Sequence, residues 1–242
     1  MTDAVLEIAG LTKDYRALRP LRIQQLTVGA VETVALLGLD QAAAEVFVSL
    51  VTGAALPDSG EVHVFGRETS SIADGDQWLT TLDRFGIVTE RAVLLEQLDV
   101  IQNLAMPFTL EVEPPSPEVR RRAEALAQEV GLPQASWAGR AGNLDPGGLA
   151  RLRLGRALAV EPALLLLEHV SAGLPATGVS ALGGDIRRLA GQRRIACVAM
   201  TADDVFAHAV ATRVLTLEPA SGRLADRRRR GWFSRYTGQK TA

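Results

Sequence analysis

The residues best placed to do chemistry lie at two junctions. At the first, the apolar run Val34-Ala35-Leu36-Leu37 passes through Gly38-Leu39-Asp40-Gln41 into a stretch of helix formers over residues 42–51. A glycine between a strand and a helix leaves backbone N–H groups and the positive end of the helix dipole free, so an anion such as phosphate is the expected ligand there. At the second, the apolar run of residues 163–167 ends on Glu168-His169, a carboxylate beside an imidazole that could take a proton near neutral pH. What is missing limits the chemistry. Of 26 basic residues 24 are arginine, and the two lysines, Lys13 and Lys240, stand near the two ends. No lysine is available at either junction. A single cysteine, Cys197, closes no internal disulfide, and no C-x-x-C or His/Cys cluster offers a structural zinc site. Reducing cytosol is the expected setting.

The elements around these junctions follow from periodicity and turn chemistry. Short apolar, β-branched runs at 5–8, 21–28 and 31–37 predict strands, and Gly53 stops the helix of 42–51 as a C-terminal cap would. Pro57-Asp58-Ser59-Gly60 predicts a turn into an alternating strand over 61–65, and 85–89 is another short strand. Residues 90–159 are mainly helical, with segments at 100–108, 117–130 and 149–159; Ser116-Pro117-Glu118 supplies a cap, a first-turn proline and an early acid. The continuous apolar run 163–167 suits a parallel strand covered on both faces. A helix at 179–190, a strand at 195–200, a helix at 203–210 and a strand at 213–217 complete an alternation that predicts a three-layer α/β core. With 47% hydrophobic and 22% charged residues over 242 positions, the chain is globular in composition. It shows no signal-peptide pattern at its start and no apolar run of membrane-spanning length.

In this order and spacing the chain resembles the ATP-binding subunits of ABC transporters, from about residue 4 to 220. The residues that carry the resemblance are the frame of the first junction, Pro57-Asp58-Ser59-Gly60-Glu61-Val62 with Gly66, Arg151 through Arg156-Ala157-Leu158-Ala159, Glu161-Pro162-Ala163-Leu164-Leu165-Leu166-Leu167, Gly173-Leu174 and Thr201-Ala202-Asp203. The resemblance implies a P-loop NTPase-like core with an antiparallel β subdomain, a helical insertion at about 90–159 and, after residue 220, a separate tail over 221–242. It also implies ATP and Mg2+ as ligands.

The family's functional groups are largely replaced. Its phosphate loop needs a second glycine, a lysine for the β/γ-phosphates and a hydroxyl for magnesium. Here Gly38 and Asp40 are followed by Ala43, Ala44 and Glu45 at those three positions, then Val46. A charged hydrogen bond is worth about 1.5–3 kcal/mol, so the missing lysine alone predicts ATP binding about 10- to 100-fold weaker. Glu45 repels phosphate unless a metal or a proton intervenes, which also puts Mg2+ binding in question. The register set by Pro162 and Gly173-Leu174 places Glu168 at the magnesium aspartate and His169 at the catalytic glutamate, while a one-residue slip would make Glu168 the catalytic acid. Glu90 takes the place of the loop glutamine, Ala202 of the switch histidine and Pro175 of the aspartate in the dimer-facing loop. The signature reads Leu144-Asp145-Pro146-Gly147-Gly148, presenting a carboxylate and a residue without an N–H. Tyr15 stands where an aromatic stacks on adenine, or it is a core or surface tyrosine. Because both halves of a head-to-tail site are altered, the expectation is a cassette without catalytic residues. Its role would be structural or regulatory, beside a membrane permease or an active second ATPase subunit. An ATPase using His169 and Glu168, or an interaction module that never binds nucleotide, are the alternatives.

The segment from Glu90-Arg91 through Leu98-Asp99-Val100-Ile101-Gln102-Asn103-Leu104 to Phe108 is similar to the family's permease-facing segment, or it is the insertion's own core. The expected place is the cytoplasmic face of the inner membrane. The net charge of −2 divides into about −8 up to residue 222 and +6 beyond it. Arg227, Arg228, Arg229, Arg230, Trp232, Phe233 and Tyr236 combine a charge block with aromatics, suited to anionic lipid or an acidic partner, or to a solvated tail. The acidic body argues against nucleic acid.

Overall fold

The computed structural model describes residues 4–72 and 74–227. An antiparallel sheet comes first, in the order β2-β1-β4-β5, built from β1 (Ala4–Lys13), β2 (Leu21–Gly29), β4 (Ser59–Val64) and β5 (Arg67–Glu68). Alternation sorts its faces: Leu6, Ile8, Leu21 and Ile23 are buried, while Glu7, Arg22 and Gln24 are exposed. The second sheet has the order β10-β9-β3-β8-β7-β6, from β3 (Thr33–Leu37), β6 (Phe85–Val88), β7 (Leu164–Glu168), β8 (Ala196–Thr201), β9 (Arg213–Glu218) and β10 (Arg223–Asp226). The strands from β9 to β6 are parallel, and β10 is an antiparallel edge.

Every residue of β3, β7 and β8 is buried, as continuous apolar runs require. Parity divides their side chains between two cores. Val34, Leu36, Leu164 and Leu166 pack with the antiparallel sheet and α1 (Gln41–Val51), centred on Phe47. Ala35, Leu37, Leu165, Leu167 and Cys197 pack with α3 (Val100–Ala105), α4 (Pro117–Glu129), α5 (Pro146–Leu158), α6 (Ala176–Arg193) and α7 (Asp204–Val210). The result is the three-layer α/β arrangement that the sequence predicts. Burial pushes the Cys197 thiol pKa up to about 12. Among the described residues, no helix is long and apolar enough to cross a membrane.

Several features differ from the sequence expectation: α6 runs from Ala176 to Arg193 rather than over 179–190, and α3 ends at Ala105 rather than at 108. A helix, α2 (Gly75–Leu82), forms where none was predicted; Asp74 caps it by accepting from Gln77 N–H, and it buries no residue fully. β5 was also not foreseen. α5 starts at Pro146 rather than at residue 149, because Asp145 caps it. The segment expected to be a separate tail from residue 221 begins inside the sheet, since β10 pairs with β9 from Arg223 opposite Glu218 to Asp226 opposite Leu215. Arg223 bonds Glu218 and Arg227 bonds Asp204, so these two charges belong to the folded body. Arg228, Arg229, Arg230, Trp232, Phe233 and Tyr236 lie outside the described residues.

Candidate functional site

Four parallel strands end side by side. In register, Leu37 faces Thr201, Met200 faces Glu168, and Leu167 faces Val88. Gly38, Ala202 and His169 are the next residues beyond β3, β8 and β7, and Glu90 follows β6 by one residue more. The crevice outside the carboxyl ends of such strands is where α/β folds bind ligands. Positions singled out separately in the sequence therefore share one edge of the sheet.

At the β3–α1 junction the glycine is required. Gly38 has φ +94°, and a Cβ there would lie 2.9 Å from the Leu217 carbonyl oxygen. Leu39 turns into the core beside Ala43 and Ala44, so the Ala44 methyl points into packed side chains. Val46 packs partly against the same core. Asp40 caps α1: its Oδ1 accepts the Ala43 N–H at 2.8 Å, and its carbonyl accepts the Ala44 N–H at 2.9 Å. A carboxylate thus occupies one of the first-turn donors that a bound anion would use. Beside it is a cavity of about 500 Å³ lined by Tyr15, Arg19, Arg22, Gly38, Asp40 and Ala43. Burial, and then the Asp40 charge, raise the Tyr15 phenol above its ordinary pKa.

Across the edge, Glu45 and Glu168 meet the same cation. Arg91, in the loop after β6, donates from Nη2 to both Glu168 oxygens at 2.9 and 2.7 Å, and its Nη1 lies 3.2 Å from Glu45 Oε2. Gln41 Nε2 donates to Glu45 Oε1 at 3.2 Å. The Glu168 side chain is 0% exposed and the Arg91 side chain 53%. Sequence reasoning placed Glu45 and Glu168 at this edge but took Arg91 only as the start of a partner-facing segment. Two carboxylates expected at one edge, with no lysine nearby, were the available signal. His169 is held by its backbone, with φ 46°, its N–H on the Met200 carbonyl and its carbonyl accepting from Ala172. Its Nε2 is buried and finds no hydrogen-bond partner among the described residues.

The signature segment repeats the device seen at α1. Asp145 accepts the Gly148 N–H at 2.6 Å, Pro146 is the first helical residue, and Leu144 packs on the helical core. Pro146 and Glu90 share a second cavity of about 360 Å³ with Arg153 and Gly173, apart from the Tyr15 cavity. Ala202 is exposed, and Pro175 precedes α6 without a side-chain cap. The segment expected to face a permease divides: Val100, Ile101, Leu104 and Ala105 are core, while Val93 is 73% exposed and Leu95 37%. Buried Asn103 ties the loop down by accepting from Leu95 N–H and donating to the Leu95 carbonyl, both at 2.9 Å. Among the described residues, no group of three or more His, Cys, Asp or Glu side chains is placed to hold a metal ion.

The family described as ABC transporter matches residues 21–170. The sulfate/thiosulfate import ATP-binding protein CysA of Methylococcus capsulatus is 32% identical over 219 residues, covering 88% of this chain and 60% of that protein. This chain therefore spans less than two thirds of the length of that relative. The lipoprotein-releasing system ATP-binding protein LolD of Psychrobacter arcticus is 27% identical, covering 89% of this chain and 96% of that protein. Among solved structures, cbiO1 from Clostridium perfringens, part of the ABC transporter complex cbiONQ, superimposes with a TM-score of 0.77 at 19% identity. That match covers 92% of this chain and 87% of cbiO1. The ATP-binding cassette MJ0796, solved as a dimer in a post-hydrolysis state with ADP and Pi, gives a TM-score of 0.74 at 19% identity, over 94% of this chain and all of that one.

Proposed function

Because the chain belongs to the ABC transporter family, we propose that it is a cassette subunit of a membrane transport complex that keeps the fold and does not turn over ATP. One observation carries the reading: the first turn of α1, where a phosphate would sit, already holds the Asp40 carboxylate on Ala43 N–H. Ala44 and Glu45 support it, since the first leaves no cation for the β/γ-phosphates and the second adds a negative charge. Asp145 supports it from the signature side, where a second carboxylate takes a helix N-terminus. The residues present do not fit a magnesium triphosphate, because the carboxylates nearest the loop, Glu45 and Glu168, are spent on Arg91. The cavity beside Tyr15 leaves room for the nucleoside end of a nucleotide, so binding is weak rather than abolished.

In this reading the subunit sits on the cytoplasmic face of the membrane and presents Val93 and Leu95 to a permease. It pairs with a second cassette subunit that supplies the hydrolysis, and the basic aromatic segment beyond Arg227 docks on anionic lipid or an acidic partner surface. Its contribution is architecture or regulation.

Phosphate release by malachite green, on the purified chain alone and with its permease and partner subunit, tests the reading. No release above background from the chain alone is expected, and titration calorimetry should show ATP binding only near millimolar concentration. Turnover that disappears in Glu168→Gln or His169→Ala would establish an ATPase with atypical groups and overturn the proposal.

A further inference from the structure

A fully buried carboxylate needs a cation or several donors close by, because removal from water penalises its charge. Glu168 has one such neighbour. Both of its oxygens accept from Arg91 Nη2, and the other terminal nitrogen of the same guanidinium reaches Glu45. The three residues come from the end of β7, the loop after β6 and the second turn of α1, so they converge only in the folded chain. Two carboxylates from separate elements aimed at one point are oxygen donors of the kind a hard divalent cation takes. Here that point is filled by a planar cation on the chain itself, and guanidinium is well matched to carboxylate pairs. The loop bearing it is also held by its own carbonyls, with Arg153 Nη2 on the Glu90 oxygen and Arg156 Nη1 on the Val93 oxygen.

We propose that Arg91 is a tethered cation: its guanidinium fills the seat between Glu45 and Glu168, keeps divalent cations out of it, and straps the loop of residues 89–99 to α1 and β7. The loop that continues into the exposed Val93 and Leu95 is then held in one position without any added ion. The inference goes beyond the proposed function and stands whether or not nucleotide binds.

The test uses the full chain near neutral pH with no nucleotide present, so it is independent of the ATPase measurements. Free Mn2+ is followed by its electron paramagnetic resonance signal during titration. Wild type is expected to take up none at submillimolar concentration. Arg91→Ala should take up one Mn2+ per chain, roughly tenfold or more tighter than wild type, and Arg91→Ala with Glu168→Gln should lose that uptake. Hydrogen exchange of residues 89–99 should accelerate in Arg91→Ala and slow again when Mn2+ is added. Uptake by wild type that Glu168→Gln removes, or none by a folded Arg91→Ala, overturns the seat; unchanged exchange of 89–99 overturns the strap. If Arg91→Ala does not fold, Glu45→Gln serves, since it removes only the partner that is 35% exposed and leaves the Arg91–Glu168 pair. Faster exchange confined to 89–99 is expected there, and exchange equal to wild type overturns the strap.

Discussion

Strands β3 and β7 serve two regions of the molecule. Between the layers their side chains alternate strictly, Val34 and Leu36 to one core and Ala35 and Leu37 to the other, and what is demanded of them is volume and apolarity. One residue further on, at the carboxyl edge, the demand changes to charge: Glu168, Glu45, Arg91 and Asp40 neutralise one another or cap a helix. The ABC transporter family matches residues 21–170, and in the proposed reading the charges at the edge answer one another rather than a phosphate. Burial sets the fold through many small equivalent contacts, whereas a site rests on a few unequal ones, so the two can change independently.

That contrast is open to direct attack, and the interior should give the largest effect. Phe47→Ala, at a side chain with 0% exposure, should cost about 3–5 kcal/mol in urea unfolding; a loss under about 1 kcal/mol would mean that the core is not the main determinant. Arg91→Ala should cost about 2–4 kcal/mol. That is less than breaking a wholly buried pair, because the arginine is half-exposed. Replacing both partners, Arg91→Met with Glu168→Leu, should recover most of this loss, and failure to recover would show that the edge needs charge rather than packing. Asp40→Ala and Asp145→Ala should each cost about 1 kcal/mol and add together, because they cap separate helices. Asp40→Asn keeps the cap and removes the charge; it should leave stability nearly unchanged and tighten ATP binding by about three- to tenfold in titration calorimetry.

The smallest effect lies on the surface turn. The Lys13 ammonium hydrogen bond, then the Asp14 N–H, hold the Asp58 carboxyl below its ordinary pKa. Its stabilisation is therefore present above the unfolded carboxyl pKa and is lost as pH falls through the lowered folded value. Urea midpoints compared at neutral pH and in the acid range should show a slightly shallower acid loss for Asp58→Asn than for wild type.

Most of the interior was legible because period-two burial and continuous apolar runs are local signals. The runs at 163–167 and 195–200 announce strands covered on both faces, and both form within a residue of those bounds. α2 escaped because it buries nothing fully and its residues read as loop, so a cap at Asp74 and a Trp78 indole bond to the Thr52 carbonyl do the positioning. β10 escaped because Arg223-Leu224-Ala225-Asp226 owes its strand to pairing with β9 rather than to its own pattern. At the edge, register alone brought Glu45 and Glu168 forward as candidates. The partnership with Arg91 was not readable, because residues 45, 91 and 168 meet only through the order in which β3, β8, β7 and β6 are laid side by side. The caps of Asp40 and Asp145 lie between these cases, since an aspartate just before a helix is a local signal whose competition with a ligand is visible only once the first turn is formed.

The lone cysteine gives the chain a built-in clock. Cys197 lies in β8 between β3 and β7, inaccessible to solvent and with its thiol far from ionising at neutral pH. A thiol reagent can reach it only when the helical layer over that face of the sheet, or the sheet itself, opens. Its labelling rate in native buffer therefore times that opening, with no engineered probe and no second thiol to confuse the count.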